Sequence, residues 1–232
     1  MKWELARLLR AGALLAWAGF YGYLWVGGGM VRYLGPRTYW VTIFGALALG
    51  ATGIAYLATA RSAGPRPGRR ELGGLALILA PVVLAAALPA TQLGALAAAR
   101  KAVGATGTPL TLVPEPTGDV SFREIHFASS SPKYALSAGV GPGTSADLTG
   151  FVTAAPGTSS WDLELTRFYI SCCAADAIPY SVAVDVLRPG SSSPPEDTWL
   201  RAGGTLELRG DRLVLVAREI EHVQALTDPY LY

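Results

Sequence analysis

The chain has 232 residues, of which 51% are hydrophobic and 16% charged, and its formal net charge is +2. The charged share is below the roughly 25% of an ordinary soluble domain. The small net charge and the lack of a basic stripe give no indication of nucleic-acid binding, so no nucleic-acid partner is predicted, and two cysteines exclude a disulfide-rich secreted scaffold. Because the apolar residues concentrate in the first hundred positions, the sequence predicts a membrane domain over residues 1–102, followed by an extramembrane domain.

Three uncharged runs predict three transmembrane helices, over residues 11–30, 38–60 and 72–88. Each is close to the roughly 20 residues needed to cross a hydrocarbon core of about 30 Å. Pro89 is predicted to end the third helix, which leaves Ala90–Lys101 as an interfacial segment. A signal peptide is the alternative for the first run, but the run is longer than the apolar core of such a peptide.

Basic residues in the short loops predict the orientation of the chain, with the N-terminus inside the cell and the C-terminal domain outside. If the third run does not cross the bilayer, the domain is cytoplasmic instead. The loops assigned to the inside carry seven basic residues and those outside carry four: Lys2, Arg7, Arg10, Arg61, Arg66, Arg69 and Arg70 against Arg32, Arg37, Arg100 and Lys101.

The three predicted spans contain no Asp, Glu, Lys, Arg or His. A transport path normally needs polar or ionisable groups that face a cavity, so these helices are predicted to be anchors or packing partners rather than a pore. Ala46, Gly50 and Gly53 are small residues that would let another helix approach closely. Ordinary alanine-rich membrane sequence is the alternative explanation for them.

The second half of the chain predicts a mostly-β domain over residues 120–232, after a Pro- and Gly-rich linker at residues 103–119. Short β-like runs separated by Gly, Pro and Ser turns favour a small OB-like barrel or a sandwich. The chain is therefore predicted to be an α+β membrane protein. The predicted strands are Val120–Phe127, Gly150–Ala154, Leu163–Cys173, Tyr180–Leu187, Trp199–Leu208 and Leu213–Ala217.

The two cysteines, Cys172 and Cys173, are adjacent in the segment RFYISCCAADAIP. Neighbouring side chains on a regular strand point to opposite faces, so the pair could not bind one metal ion there. Adjacent Cα atoms lie about 3.8 Å apart, below the usual 4.4–6.8 Å of a disulfide. A break in the strand at Ala174–Ala175 would remove both obstacles.

Two interpretations of the cysteine pair stay open. In the first, both are small, buried and inert core residues. In the second, Cys172, Cys173 and Asp176 form a soft-metal site, for a metal such as zinc, or a redox site. His126 and His222 are more distant candidate ligands. The spacing C-C-x-x-D differs from the usual ligand spacings of zinc sites, which favours the core interpretation.

No catalytic motif is present: the sequence lacks both G-x-S-x-G and H-E-x-x-H. We therefore expect no enzymatic activity. A membrane-tethered enzyme is one remaining alternative, although no acid–base pair can be named for it, and a ligand-binding barrel is another.

Four features together resemble a bacterial family of two-component membrane permease complex subunits, whose C-terminal domain has no known function. They are the segment RFYISCCAADAIP, the tryptophan of Asp197-Thr198-Trp199, Gly204 and the terminal Pro229–Tyr232. The resemblance covers Gly150–Tyr232 well and the helical region loosely. It implies an accessory subunit of the bacterial cell membrane that does not conduct by itself and assists a separate polytopic permease. The family supplies no catalytic residue, cofactor or substrate. The terminal PYLY is also predicted to pin the chain end against the barrel.

Overall fold

The computed structural model describes residues 5–60, 67–88, 92–104, 115–153, 163–186 and 194–232. It divides into two compact units, a helical unit of Met1–Thr91 and a barrel unit of Gln92–Tyr232. Most of the predicted linker, residues 105–114, lies outside the described residues. The barrel unit begins before that linker.

The helical unit contains α1 (Leu5–Val26), α2 (Tyr39–Ala58) and α3 (Arg69–Ala87). Among the described residues, two helices rather than three are long and apolar enough to cross a membrane: α2 with the turn before it, and α3. Helix α1 is 22 residues long, but it begins before the predicted run and includes Arg7 and Arg10.

Helix α1 packs against both α2 and α3. A side chain at Gly53 of α2 would come within 2.9 Å of Leu15 Cγ on α1, so this glycine permits the close approach that the sequence predicted. The indole N–H of Trp25 donates to Thr42 Oγ1 at 3.2 Å, and that of Trp17 donates to the carbonyl of Ile78 at 3.1 Å. These bonds give both indole N–H groups an acceptor within the helical unit.

The barrel unit is built around five long strands and one short one. They are β1 (Ser145–Thr153), β2 (Leu163–Tyr169), β3 (Ile178–Val186), β4 (Trp199–Arg209), β5 (Arg212–His222) and β6 (Tyr230–Leu231). The strand order is β1-β4-β5-β3-β2, and a further β1–β2 pairing closes the sheet into a barrel. Strands β3 and β5 are parallel, and the other long pairs are antiparallel. A barrel is therefore confirmed, and the alternative of a sandwich is wrong.

The β4–β5 hairpin depends on two glycine positions. Gly210 adopts φ +64 in the tight turn, as the Gly-Asp pair predicts. The register of β4 against β5 shifts between Gly203 and Gly204, which marks a β-bulge. A Cβ at Gly204 would overlap the backbone carbonyl of Val216, so the bulge admits only glycine without backbone movement.

Three helices pack on the barrel. They lie where the sequence predicted a strand, at Val120–Phe127, and an interfacial segment, at Ala90–Lys101. Residues predicted as a strand at Val120–Phe127 instead form most of α5 (Phe122–Ser130), which is followed by α6 (Pro132–Ala138). The strand prediction was wrong because Ser121 caps a helix: its hydroxyl accepts from the N–H of Arg123 and donates to the carboxylate of Glu124.

The third helix, α4 (Ala95–Gly104), occupies most of the predicted interfacial segment. Its Ala98 is buried with Phe151, Phe168 and Trp199 in one apolar cluster of the barrel, whereas α5 and α6 contribute to the other cluster. The Ala95 N–H donates to Asp197 Oδ1 at 2.5 Å, which caps the start of α4 from the loop before β4. The interfacial prediction is therefore corrected: α4 packs on the barrel.

The C-terminal segment is fixed to β2, as the PYLY sequence predicted. Tyr230 is buried, and β6 pairs in parallel with the end of β2. The Arg167 guanidinium donates to the carbonyls of Asp228, Pro229 and Tyr230 at 3.1, 3.3 and 2.9 Å. The position at which β2 ends is therefore tied to this segment.

Candidate functional site

The candidate site is the turn between β2 and β3, at residues 170–177, which we call the cysteine turn. Strand β2 ends at Tyr169, and a single 3₁₀ turn spans Ala174–Asp176 before β3 begins at Ile178. Buried Ile170 and Ala177 hold the two ends of the turn in the apolar cluster beneath α4. The predicted strand over Leu163–Cys173 is thus too long, and Cys172 is exposed whereas Phe168 is buried.

The Asp176 carboxylate organises this turn. Its Oδ1 accepts from the N–H of Ser171 at 3.1 Å, and its Oδ2 accepts from the N–H of Cys172 at 2.8 Å. A backbone N–H that binds a side chain is not available to a neighbouring strand. The aspartate therefore replaces strand pairing at the point where β2 stops.

Neither cysteine belongs to a hydrophobic core. Cys172 is exposed and Cys173 is partly buried, and both are free thiols. The two Sγ atoms are 3.6 Å apart. One ligand atom from each of Cys172, Cys173 and Asp176 lies within 4.8 Å of the others. The turn thus brings together the three residues that the sequence predicted, because the chain is not a regular strand there.

The carboxylate also sets the protonation of the site. The hydrogen bond to Asp176, followed by that to Cys173, raises the pKa of the Cys172 thiol to about 12. Burial opposes ionisation of Asp176, but hydrogen bonds from the Cys172 thiol and from the backbone of Ser171, Cys172 and Cys173 outweigh it and lower the carboxyl pKa. Near neutral pH the site is therefore a thiol that faces a carboxylate, and a protonated thiol is a poor nucleophile.

The two histidines do not join this cluster. His126 lies on α5, with its ring centroid 5.6 Å from that of Phe127 and 5.1 Å from that of Tyr180. His222 ends β5 and pairs with Leu200 of β4. Within the described ranges, Cys172, Cys173 and Asp176 form the one group of His, Cys, Asp or Glu side chains close enough to share a metal ion.

Two contacts that the sequence did not single out involve α4, one with the cysteine turn and one with the loop before β4. The ammonium of Lys101 donates to the carbonyl of Ala175 at 2.8 Å. Asp197, with φ +65, caps the other end of the helix. These residues are 74 and 102 positions from their partners, so no local spacing could have predicted either contact.

Comparison with known protein families gives a match within the barrel unit. Residues 142–232 match the family described as DUF1980 C-terminal domain. The match includes β1 to β6 and the cysteine turn, and it covers less than half of the chain. No curated protein matches the sequence. The barrel is therefore similar to a domain family of unknown function.

Proposed function

We propose that the protein is an accessory subunit of a membrane permease complex, which does not conduct by itself and supplies a β-barrel domain to a separate polytopic permease. The observation that supports this proposal is the helical unit, whose described helices expose extensive apolar surface and carry ionisable Asp, Glu, Lys, Arg or His residues only near their ends. The proposal assigns the chain no catalytic reaction.

The apolar side chains of the helical unit point outward. Helix α2 buries only Thr42 and Gly53 among its described residues, and α3 buries none. Phe44 is 67% exposed and Leu77 is 76% exposed. A soluble helix bundle would bury such residues against its own core. Lipid, or helices of another membrane protein, would cover them here.

The charged groups of the helical unit cluster toward the helix ends. Arg10 Nη2 forms an ion pair with Glu71 Oε1 at 2.6 Å, and Arg7 donates to the carbonyl of Thr59 at 2.9 Å. Beyond Arg10 in α1, throughout α2 and beyond Glu71 in α3, the described helices contain no ionisable Asp, Glu, Lys, Arg or His. A conducting path lined by such groups would therefore have to come from another polypeptide.

The proposal keeps α1 as a third span of a multi-pass protein, with the barrel outside the cytoplasm. The support is the 22-residue length of α1 and the excess of basic residues in the loops assigned to the inside. Reagents that label only exposed lysines on the outer face of whole cells should then modify Lys133, which lies on α6.

Purification of the chain in mild detergent tests the proposal. We expect a polytopic membrane protein to copurify in a fixed ratio, and to be lost when α2 and α3 are replaced by leucine helices of equal length. Because this variant keeps the barrel sequence, it distinguishes binding of the permease by the helices from binding by the barrel. Solute flux through liposomes that contain this chain alone would contradict the proposal.

A second candidate is a membrane-anchored soft-metal-binding or redox-sensing protein that acts without a permease. The convergence of Cys172, Cys173 and Asp176 favours it. Of its two forms, the redox sensor has less support, because the raised pKa of Cys172 keeps the thiol protonated. Titration with a thiol-specific disulfide reagent at neutral pH tests the redox form, which requires fast reaction at Cys172.

A further inference from the structure

We propose that Cys172, Cys173 and Asp176 form a three-ligand site for a zinc-like divalent ion, with tetrahedral geometry and an exchangeable fourth position. We infer further that such an ion belongs to the cargo class of the permease complex. This second step rests on the proposed function, whereas the metal site does not.

The separation of the two sulfurs selects the geometry. With an Sγ–Sγ distance of 3.6 Å and a zinc–sulfur bond of about 2.3 Å, the S–Zn–S angle is about 100°, near the tetrahedral value. A linear two-coordinate ion with bonds of the same length would hold the sulfurs about 4.6 Å apart. The cysteine turn therefore fits a tetrahedral ion without moving the sulfurs apart.

The ligand types select the ion class. Two thiolates favour zinc and other thiophilic ions over Mg²⁺ and Ca²⁺, which prefer oxygen ligands. The Asp176 carboxylate offers about four lone-pair positions. The N–H groups of Ser171, Cys172 and Cys173 use three of them. A metal ion can take the remaining carboxylate position, which faces the Cys172 sulfur, and its binding to both sulfurs releases the two thiol protons to solvent.

The exposure of the site indicates exchange rather than a structural role. Structural zinc sites are closed by four protein ligands, whereas sites with three keep an open position for water or another ligand. Here three candidate ligands converge within the described residues, and Cys172 is exposed. The turn is already fixed by Asp176 and by buried Ile170 and Ala177. Metal binding therefore needs no folding step, and a partner protein could reach the ion.

The test uses the full chain in detergent, reduced and without a histidine tag, titrated with zinc against a chromophoric chelator and with cobalt(II) by absorption. We expect one zinc ion per chain and a cobalt spectrum with a thiolate charge-transfer band and intense tetrahedral ligand-field bands. Cys172→Ser, Cys173→Ser and Asp176→Asn should each weaken zinc binding by at least about tenfold, since even outer-shell changes cost that much.

Ser171→Ala and Asp211→Asn are the matched controls, and they should retain zinc binding and the cobalt spectrum. Ser171 is in the same turn, and Asp211 is an exposed aspartate in the β4–β5 turn. Asp176→Asn also removes the capping carboxylate, so circular dichroism accompanies each variant. If Asp176→Asn fails to fold, the site is tested with Cys172→Ser and Cys173→Ser alone. Absence of zinc binding, or equal binding by both cysteine variants and the native chain, would overturn the site.

The second step has its own measurement. Zinc accumulation by cells that contain the chain and its copurifying permease should fall in Cys172→Ser and stay normal in Ser171→Ala. If zinc binds but accumulation does not change, the ion is not the cargo, although the site stands. If zinc binds and no permease copurifies, the proposed function fails and the metal site survives.

Discussion

The helical unit and the barrel unit place their apolar residues in opposite environments. In the barrel unit, Leu165 and Val214 are fully buried, and one or both faces of every long strand contribute to a core. In the helical unit, Phe44 and Leu77 point outward. Apolar composition alone therefore does not locate a core. The barrel unit supplies its own apolar interior, whereas the helical unit needs one from its surroundings.

The largest expected difference comes from removing one phenyl ring in each unit. Phe168 is buried and stacks on Phe151 with centroids 5.7 Å apart, so Phe168→Ala should lower the free energy of unfolding of the barrel by about 4 kcal/mol. Phe44→Ala, on the outward face of α2, is the matched control and should leave it unchanged. Denaturant unfolding in detergent, followed by the β-sheet signal in circular dichroism, measures both. Equal losses would contradict the contrast.

The second prediction places a charged side chain at an exposed leucine in each unit. Leu77 lies mid-way along α3, and an arginine there should raise the apparent free energy of membrane insertion by about 3 kcal/mol. Leu136→Arg, at a leucine of α6 that is 86% exposed, should change neither insertion nor barrel unfolding. Glycosylation reporters on either side of α3 in microsomes measure insertion. Unchanged insertion of Leu77→Arg would mean that α3 does not face lipid.

A smaller effect tests how closely the barrel backbone is packed. A Cβ at Gly204 would lie 2.8 Å from the carbonyl carbon of Val216, whereas a Cβ at Gly203 would have nothing within 4 Å. Gly204→Ala should therefore cost about 2 kcal/mol of barrel stability, and Gly203→Ala should cost much less. Thermal unfolding of both variants checks this difference. Similar melting temperatures for the two would show that the bulge can relax.

The smallest effect is on the barrel surface. A hydrogen bond from Arg201, against a smaller opposing effect of burial, lowers the pKa of Asp147. Because the folded pKa is below the unfolded value, the pair stabilises the barrel at pH above about 4, and this contribution disappears as pH falls through the lowered pKa. Asp147→Asn should lower the melting temperature slightly at neutral pH, and the difference should shrink as the pH falls below about 4. High salt should reduce the difference, and Asp211→Asn should show none.

A strand could be predicted from the sequence where apolar residues alternate with polar ones and the apolar residues are the buried ones. In β3, Tyr180, Val182 and Val184 alternate along the sequence and are all buried in the barrel. The error at α5 was avoidable, because Ser121 followed three residues later by Glu124 is the signature of a capping box. The apolar alternation over Val120–Phe127 is weak, whereas this local hydrogen-bonding pattern is specific to the start of a helix.

The cysteine turn shows where sequence reasoning stops. Residue chemistry was enough to select Cys172, Cys173 and Asp176, but not to show that they leave the strand. A strand and an aspartate-capped turn compete for the same N–H groups. Contacts with residues far away in the sequence help to decide which of the two forms. The N–H of Ile170 donates to the carbonyl of Leu231, 61 positions away. No feature near the cysteines encodes that bond.

The closure of the barrel has a consequence for how the protein behaves at high local density. Strand β1 pairs with β4 along most of its length and with β2 at its end, so each of the five long strands of the described sheet has neighbours on both sides. Unpaired strand edges are the templates through which sheets of different molecules join and aggregate. Many copies held at high local density would therefore lack a long free edge for polymerisation in the described sheet.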